Sequence, residues 1–245
     1  MDVPYEIRRF LAGETDIVTF REMYDTDPAI NDFLQDLVDE IIRSGEEFPV
    51  VRYYNEAGEL KHQNPNLHYF AHPVDDPGYQ YGSRLYESVR TYLTEEFRML
   101  THNVRTASGA WEFYQGIYDL FALYDTTVPY RDEAYEAAFV FALDAIPEYL
   151  SGGESETYIQ EHIIPRFPDT MPKGKRIKAI RAAIKEEFKS EKGYPCWLQS
   201  SEWPLGKDGK PATYIGKKKL HGGEAARFSF RDESDGSIIE VEQFY

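Results

Sequence analysis

SRLYESVRTYLTEEFRML (residues 83–100), SGAWEFYQGIYDLFALY (108–124) and DEAYEAAFVFALDAIPEYL (132–150) are the stretches whose reading decides the fold of this chain. In the first, Leu85, Val89, Leu93, Phe97 and Leu100 recur three or four residues apart, and Tyr86 and Tyr92 widen the stripe. That spacing stacks side chains over one another on a single helical face. In the second, Trp111, Tyr114, Ile117, Tyr118, Phe121 and Tyr124 repeat the pattern behind Ser108, a capping residue. The third carries Tyr135, Phe139, Leu143, Ile146 and Leu150; Asp132 and Glu133 suit the positive end of a helix, and Pro147 is placed to kink or end it. Three adjoining amphipathic helices with short connections predict a central block packed antiparallel in chain order. The aromatic stripe reads as plain core or as the lining of a ligand pocket, and the dominance of large aromatics in cores favours the first.

On the N-terminal side of this block the spacing predicts three more helices. Pro4 to Leu11 has a proline in its first turn and Gly13 just past its end. A second helix follows around Ile17, Phe20 and Tyr24, capped by Thr15 or Asp16. The third opens on Asp27-Pro28 and carries Ile30, Phe33, Leu34, Leu37, Val38, Ile41 and Ile42 on one face, ending at Ser44-Gly45. Its opposite face presents Asp32, Asp36, Asp39 and Glu40, which reads as a solvated surface or as a ridge for a basic partner. Phe48 to Tyr54, a turn at Asn55 to Gly58 and a return near Leu60 to His62 predict a short hairpin. Residues 63–82 are rich in Asn, Pro, Asp, Gly and Tyr, without periodicity.

On the C-terminal side, Ser151-Gly-Gly-Glu154 marks a seam, and Tyr158 to Phe167 predicts a short helix broken at Pro165. Lys173 to Lys192 predicts a basic amphipathic helix with Ile177, Ile180, Ile184 and Phe188 on one side. From Tyr194 the pattern turns to strands: Thr213 to Lys218, Ala226 to Asp232 and Ser237 to Phe244, with turn signals at Asp208-Gly209 and Asp235-Gly236. The expected fold class is therefore α+β and predominantly helical. An acidic, mainly helical body occupies 1–150, a connecting segment with the basic helix 151–193, and a small antiparallel β-rich region 194–245, packed on the body as one unit.

Charge is placed as unevenly as structure. The chain of 245 residues has a net charge of −16, and residues 1–150 hold 28 Asp and Glu against 11 Lys and Arg, a balance of −17; the remainder stands at +1. An acidic body repels nucleic acid and attracts basic partners at long range. The basic helix could contact RNA or a membrane surface, and docking against the acidic body is the less demanding explanation of it. No apolar run approaches the roughly 20 residues needed to cross a bilayer. The start of the chain has neither the basic nor the apolar region of a signal peptide, and Cys196 is its single cysteine, so a reducing cytoplasm is the expected compartment.

The sequence holds no Walker loop, no Gly-x-Gly-x-x-Gly and no Gly-x-Ser-x-Gly, and it calls for no cofactor. His68 and His72, at i and i+4, would reach one zinc ion from a helix, with His62 or Asp75 to complete the site; the three histidines are the basis of an alternative reading as a metal-dependent hydrolase. The surrounding Asn-Pro-Asn-Leu-His-Tyr-Phe-Ala-His-Pro is not helix-forming text, and ordinary loop histidines are the simpler account. Cys196, between Pro195 and Trp197, reads as a structural cysteine rather than a nucleophile.

The most distinctive local text is Pro195-Cys-Trp-Leu-Gln-Ser-Ser-Glu-Trp-Pro204, continuing through Gly209-Lys-Pro211 to Tyr214-Ile-Gly216. Trp197 and Trp203, with Glu202 beside them, read as an exposed recognition patch or as a cap on the core of a small sheet. This segment, with the opening Phe10-Leu-Ala-Gly13, Phe20 and Phe33-Leu34, resembles uncharacterised bacterial proteins of the immunity type found in toxin–immunity systems. The resemblance covers about the last 50 residues and transfers no catalytic residue. It implies a non-enzymatic binding protein that neutralises a basic partner, such as a toxin nuclease, through an acidic surface. Asp32, Asp36, Asp39, Glu40, Trp197, Glu202 and Trp203 are the candidate contact residues.

Overall fold

The computed structural model describes residues 2–44, 52–54, 60–63, 102–125, 127–220, 222 and 224–244. Residues 83–100, the first of the three stretches that organise the sequence, lie outside them, as do His68 and His72. Among the described residues the protein is α+β and mainly helical, with seven α-helices and a three-stranded antiparallel sheet at the C-terminal end.

Local chemistry sets the helix starts. Helix α1 (Val3–Leu11) is capped by Asp2, whose carboxylate accepts the Tyr5 N–H at 3.2 Å, and the chain leaves it through Gly13 at φ 78°. Helix α2 (Ile17–Thr26) is capped by Asp16, which accepts the N–H groups of Val18 and Thr19 at 3.1 and 3.0 Å. Helix α3 (Pro28–Ser44) begins where Asp27 accepts the Ala29 N–H at 2.9 Å and Pro28 supplies a preset φ. Strands β1 (Arg52–Tyr54) and β2 (Leu60–Gln63) pair antiparallel as the expected hairpin. Helices α4 (Ala107–Tyr124) and α5 (Glu133–Ala145) are the second and third helices of the central block, and α5 stops ahead of Pro147.

The chain divides into two compact units. The first comprises residues 1–104 and 108–136, the second 105–107 and 137–245. In the first unit, α4 buries Phe113, Tyr114, Ile117, Tyr118 and Phe121 against α1, α2 and α3; Phe10 and Phe20 stack at 4.2 Å in its centre. The aromatic stripe of α4 is therefore core, with Tyr124 alone among the stripe's large tyrosines left half exposed. Asp132 is also buried there, and accepts from Trp111 Nε1 at 2.8 Å and from the Tyr130 hydroxyl at 2.9 Å. A buried carboxylate held by two donors is affordable where a lone one is not.

The second core gathers Ala142, Ala145 and Ile146 from and after α5 with the elements that follow. Helix α6 (Gly153–Tyr158) runs on through a π turn (Ile159–Ile163) and a 3₁₀ turn (Ile164–Arg166) containing Pro165. The Ser151 seam thus lies inside the second unit. Helix α7 (Lys173–Glu187) is the basic helix, and it ends at Phe188, earlier than its charge pattern extends. Ile180, Ile184 and Phe188 are its buried side. Strands β3 (Thr213–Leu220), β4 (Ala225–Arg231) and β5 (Ile238–Phe244) form a meander in that order. The turn between β4 and β5 is the Asp235-Gly236 signal, with Gly236 at φ 74° and Asp235 accepting the Ser237 N–H at 2.8 Å. Among the described residues no helix is long and apolar enough to cross a membrane.

The two described helices of the central block thus belong mainly to different cores. Both read as amphipathic in sequence, but α5 is alanine-rich: it buries only Ala142 and Ala145 and leaves Val140 and Leu143 about half exposed.

Candidate functional site

Two surface features carry chemistry, one in each unit. On the first unit, α3 turns Ile30 and Leu34 inward at zero exposure, with Phe33 and Leu37 packed against the same core. Asp32 and Asp36, one turn apart, are exposed on the other side. Asp39 and Glu40 fall within the same helix, and their side chains lie outside the described residues. The charge division follows the structural one. The first unit holds 26 Asp and Glu against 10 Lys and Arg, a balance of −16, and the second is neutral with 17 of each.

Four arginines of the first unit are already engaged. Arg8 binds Asp125 at 3.0 Å, Arg9 binds Glu6 at 3.2 Å and Arg21 binds Asp25 at 2.8 Å. Arg131 donates to the Ala12 carbonyl at 3.5 Å. Asp125 is held below the usual carboxylate range, chiefly by hydrogen bonds from Thr127 and then by Arg8, which keeps it charged and paired. No described residue pairs with Asp32 or Asp36, so their charge remains on the surface.

On the second unit, the segment Pro195 to Ser201 forms one wall of an open groove of about 540 Å³. Tyr149 and Trp197 supply its aromatic surface, and Glu148, Ser151, Gln199 and Ser200 its polar surface; Cys196 also lines it. The wall is tied down by one backbone carbonyl and one side-chain amide. The Tyr149 carbonyl accepts from Trp197 Nε1 at 2.9 Å and from Ser201 Oγ at 2.8 Å. Gln243, fully buried on β5, accepts the Leu198 and Gln199 N–H groups at 2.9 and 3.2 Å and donates to the Ser200 carbonyl at 2.7 Å. One side-chain amide thereby does the work of a neighbouring strand.

The candidate contact residues of this region separate. Trp203 is 1% exposed; its Nε1 donates to the Ala212 carbonyl at 2.8 Å, and its ring meets Phe188 and Phe230 edge-on at 5.4 and 5.3 Å. It is a core residue with no surface to offer a partner. The physical reason is the pairing next to it: Ala212 donates to the Pro204 carbonyl at 3.1 Å, which folds this strip back on itself over the sheet with the indole beneath. Trp197 is half-buried, tilted against Phe228 at 4.5 Å, and lines the groove. Glu202 is exposed.

A smaller groove of about 330 Å³ lies beside Tyr158, Glu187, Lys210 and Glu233. Its charges mostly satisfy one another. Glu187 accepts from Tyr158 and Arg166, Lys210 pairs with Asp208 at 3.4 Å, and Glu233 pairs with Arg231 at 3.1 Å.

Of the alternative metal ligands, His62 lies on β2, where its side chain is outside the described residues, as His68 and His72 are altogether. Among the described residues no three His, Cys, Asp or Glu side chains are grouped to hold a metal ion. Sequence reasoning missed Tyr149 and Gln243. The signal for Gln243 was a polar residue in the inward register of β5, after Ile239 and Val241. The tie through Tyr149 had no signal, because it is made by a backbone carbonyl. No protein family, curated protein or solved structure matches the chain in comparison.

Proposed function

We propose that this chain is a non-enzymatic binding protein of the immunity type, which neutralises a basic protein by docking it on the acidic first unit. The observation that carries the reading is the segregation of charge: one unit stands at −16, with Arg8, Arg9 and Arg21 engaged with carboxylates of their own unit, and the other has zero net charge. Asp32 and Asp36 on α3 form the described part of the docking ridge, and Asp39 and Glu40 continue it along the helix. A toxin nuclease is the partner class that fits, because an enzyme built to hold a polyanion presents the basic surface such a ridge complements. Association would be fast at low salt, and a few desolvated anchors would supply most of the affinity.

The test is affinity capture from the native cytoplasm with the wild-type chain and with a variant carrying Asp32→Asn, Asp36→Asn and Asp39→Asn. The reading expects a basic protein retained by the wild type and depleted on the variant. Equal retention of every captured protein by the two would refute the ridge as the docking surface.

A further inference from the structure

The geometry points to a second binding site, on the other unit and independent of the acidic ridge: the groove between Tyr149 and Trp197 binds a neutral polyhydroxylated ligand, a short oligosaccharide. Its volume of about 540 Å³ is within the range of small-ligand sites. No Lys or Arg lines it, which removes the anchor that phosphate, sulfate or carboxylate ligands require. Charge recognition is thus excluded for anions.

What remains is an aromatic surface whose indole N–H is already used. The Trp197 N–H is spent on the Tyr149 carbonyl, and the Tyr149 ring stacks on Tyr194 at 4.3 Å. Both side chains line the groove and bring aromatic surface to it. Around them stand the Gln199 amide, the Ser151 and Ser200 hydroxyls and the Glu148 carboxylate, all exposed and none hydrogen-bonded through its side chain in the described structure. That set mixes donors and acceptors. Sugars present the matching pattern, an apolar C–H face and a rim of hydroxyls that each donate and accept.

An extended proline-rich peptide would also lie on aromatic rings, but its carbonyls need a fixed donor, and the indole N–H is already committed. The site is prepared in advance. Gln243 and Ser201 hold the wall in place, so little ordering cost falls on the ligand.

Cys196, the single cysteine of the chain, lines this groove and is exposed, which makes it a reporter that reads nowhere else. The experiment measures the rate of Cys196 alkylation by N-ethylmaleimide on the full chain, alone and with maltotriose, cellotriose, xylotriose or N,N′,N″-triacetylchitotriose. At about 20 mM, at least one of these should slow the reaction about fivefold, which corresponds to millimolar affinity. Gln199→Ala, an exposed substitution that leaves the thermal midpoint unchanged, should remove that protection. Unprotected alkylation with all four sugars overturns the proposal. So does protection that survives in Gln199→Ala, or protection by a proline-rich decapeptide and by none of the sugars.

Discussion

The buried amide of Gln243 donates a hydrogen bond to the Ser200 carbonyl at 2.7 Å. Its oxygen accepts two N–H groups of the same loop, so three backbone groups of residues 198–200 depend on one side chain of β5. Gln243→Ala should cost about 2–4 kcal/mol, since each lost bond is worth about 1 kcal/mol and leaves a buried backbone group unpaired. Gln243→Glu sets a buried carboxylate oxygen against the Ser200 carbonyl and should cost at least as much. Denaturant midpoints give the cost, and faster Cys196 alkylation reports the loosened wall. An unchanged rate and midpoint in Gln243→Ala would mean that the loop is held by its other ties.

Gly206 lies under the Asp232 carboxylate, where an added Cβ would come within 2.5 Å of Oδ1. That carboxylate cannot yield freely, because it accepts the Lys207 N–H at 2.8 Å and the Ser234 N–H and hydroxyl at 2.9 and 2.7 Å. Gly206→Ala should therefore destabilise by about 1–3 kcal/mol, as overpacking does. Thermal melting of the variant checks this, and a wild-type midpoint would show that the turn can give way.

Phe121 is fully buried in the first core, with Phe33 and Tyr124 rings at 6.4 and 5.6 Å. Phe121→Ala should cost about 3–5 kcal/mol through lost transfer energy and the cavity left behind. Equilibrium urea unfolding measures it. Phe97, marked as core by the same spacing, lies outside the described residues.

Burial, with a hydrogen bond to Glu187, pushes the Tyr158 hydroxyl up to about 12, and burial likewise raises Tyr114, Tyr130 and Tyr149. A group whose folded pKa is raised contributes stability below its unfolded value, near 10, and loses it as pH climbs through the folded value. Stability should thus fall between about pH 10 and 12, and Tyr158→Phe should make that fall shallower. Urea midpoints across this window test it; parallel curves for variant and wild type would show that Tyr158 does not contribute.

The parts of the fold that were legible in sequence were set by short-range chemistry. Asp27-Pro28 marks the start of α3 because capping and a preset φ act within three residues. Asp235-Gly236 marks the β4–β5 turn for the same reason. The division between the two units was not legible, since α4 and α5 carry the same periodicity and only tertiary packing assigns them to different cores. The same holds for the tryptophans: six residues apart in one motif, Trp203 is sealed in the core and Trp197 stands at a groove. Periodicity says that a side chain is apolar-facing; it does not say which neighbour arrives to cover it.

The central claim is that the α3 ridge docks a basic protein by charge, and its most direct test is affinity against salt. The dissociation constant for the captured partner is measured at several ionic strengths, for the wild type and for the chain with Asp32, Asp36 and Asp39 changed together to Asn. The account predicts binding weakened about tenfold at low salt and a flatter salt dependence. Folding stability should be unchanged or slightly higher, because repulsion between Asp32 and Asp36 at i, i+4 is removed. An affinity and a salt slope identical to the wild type would contradict it, and would return the ridge to an ordinary solvated face.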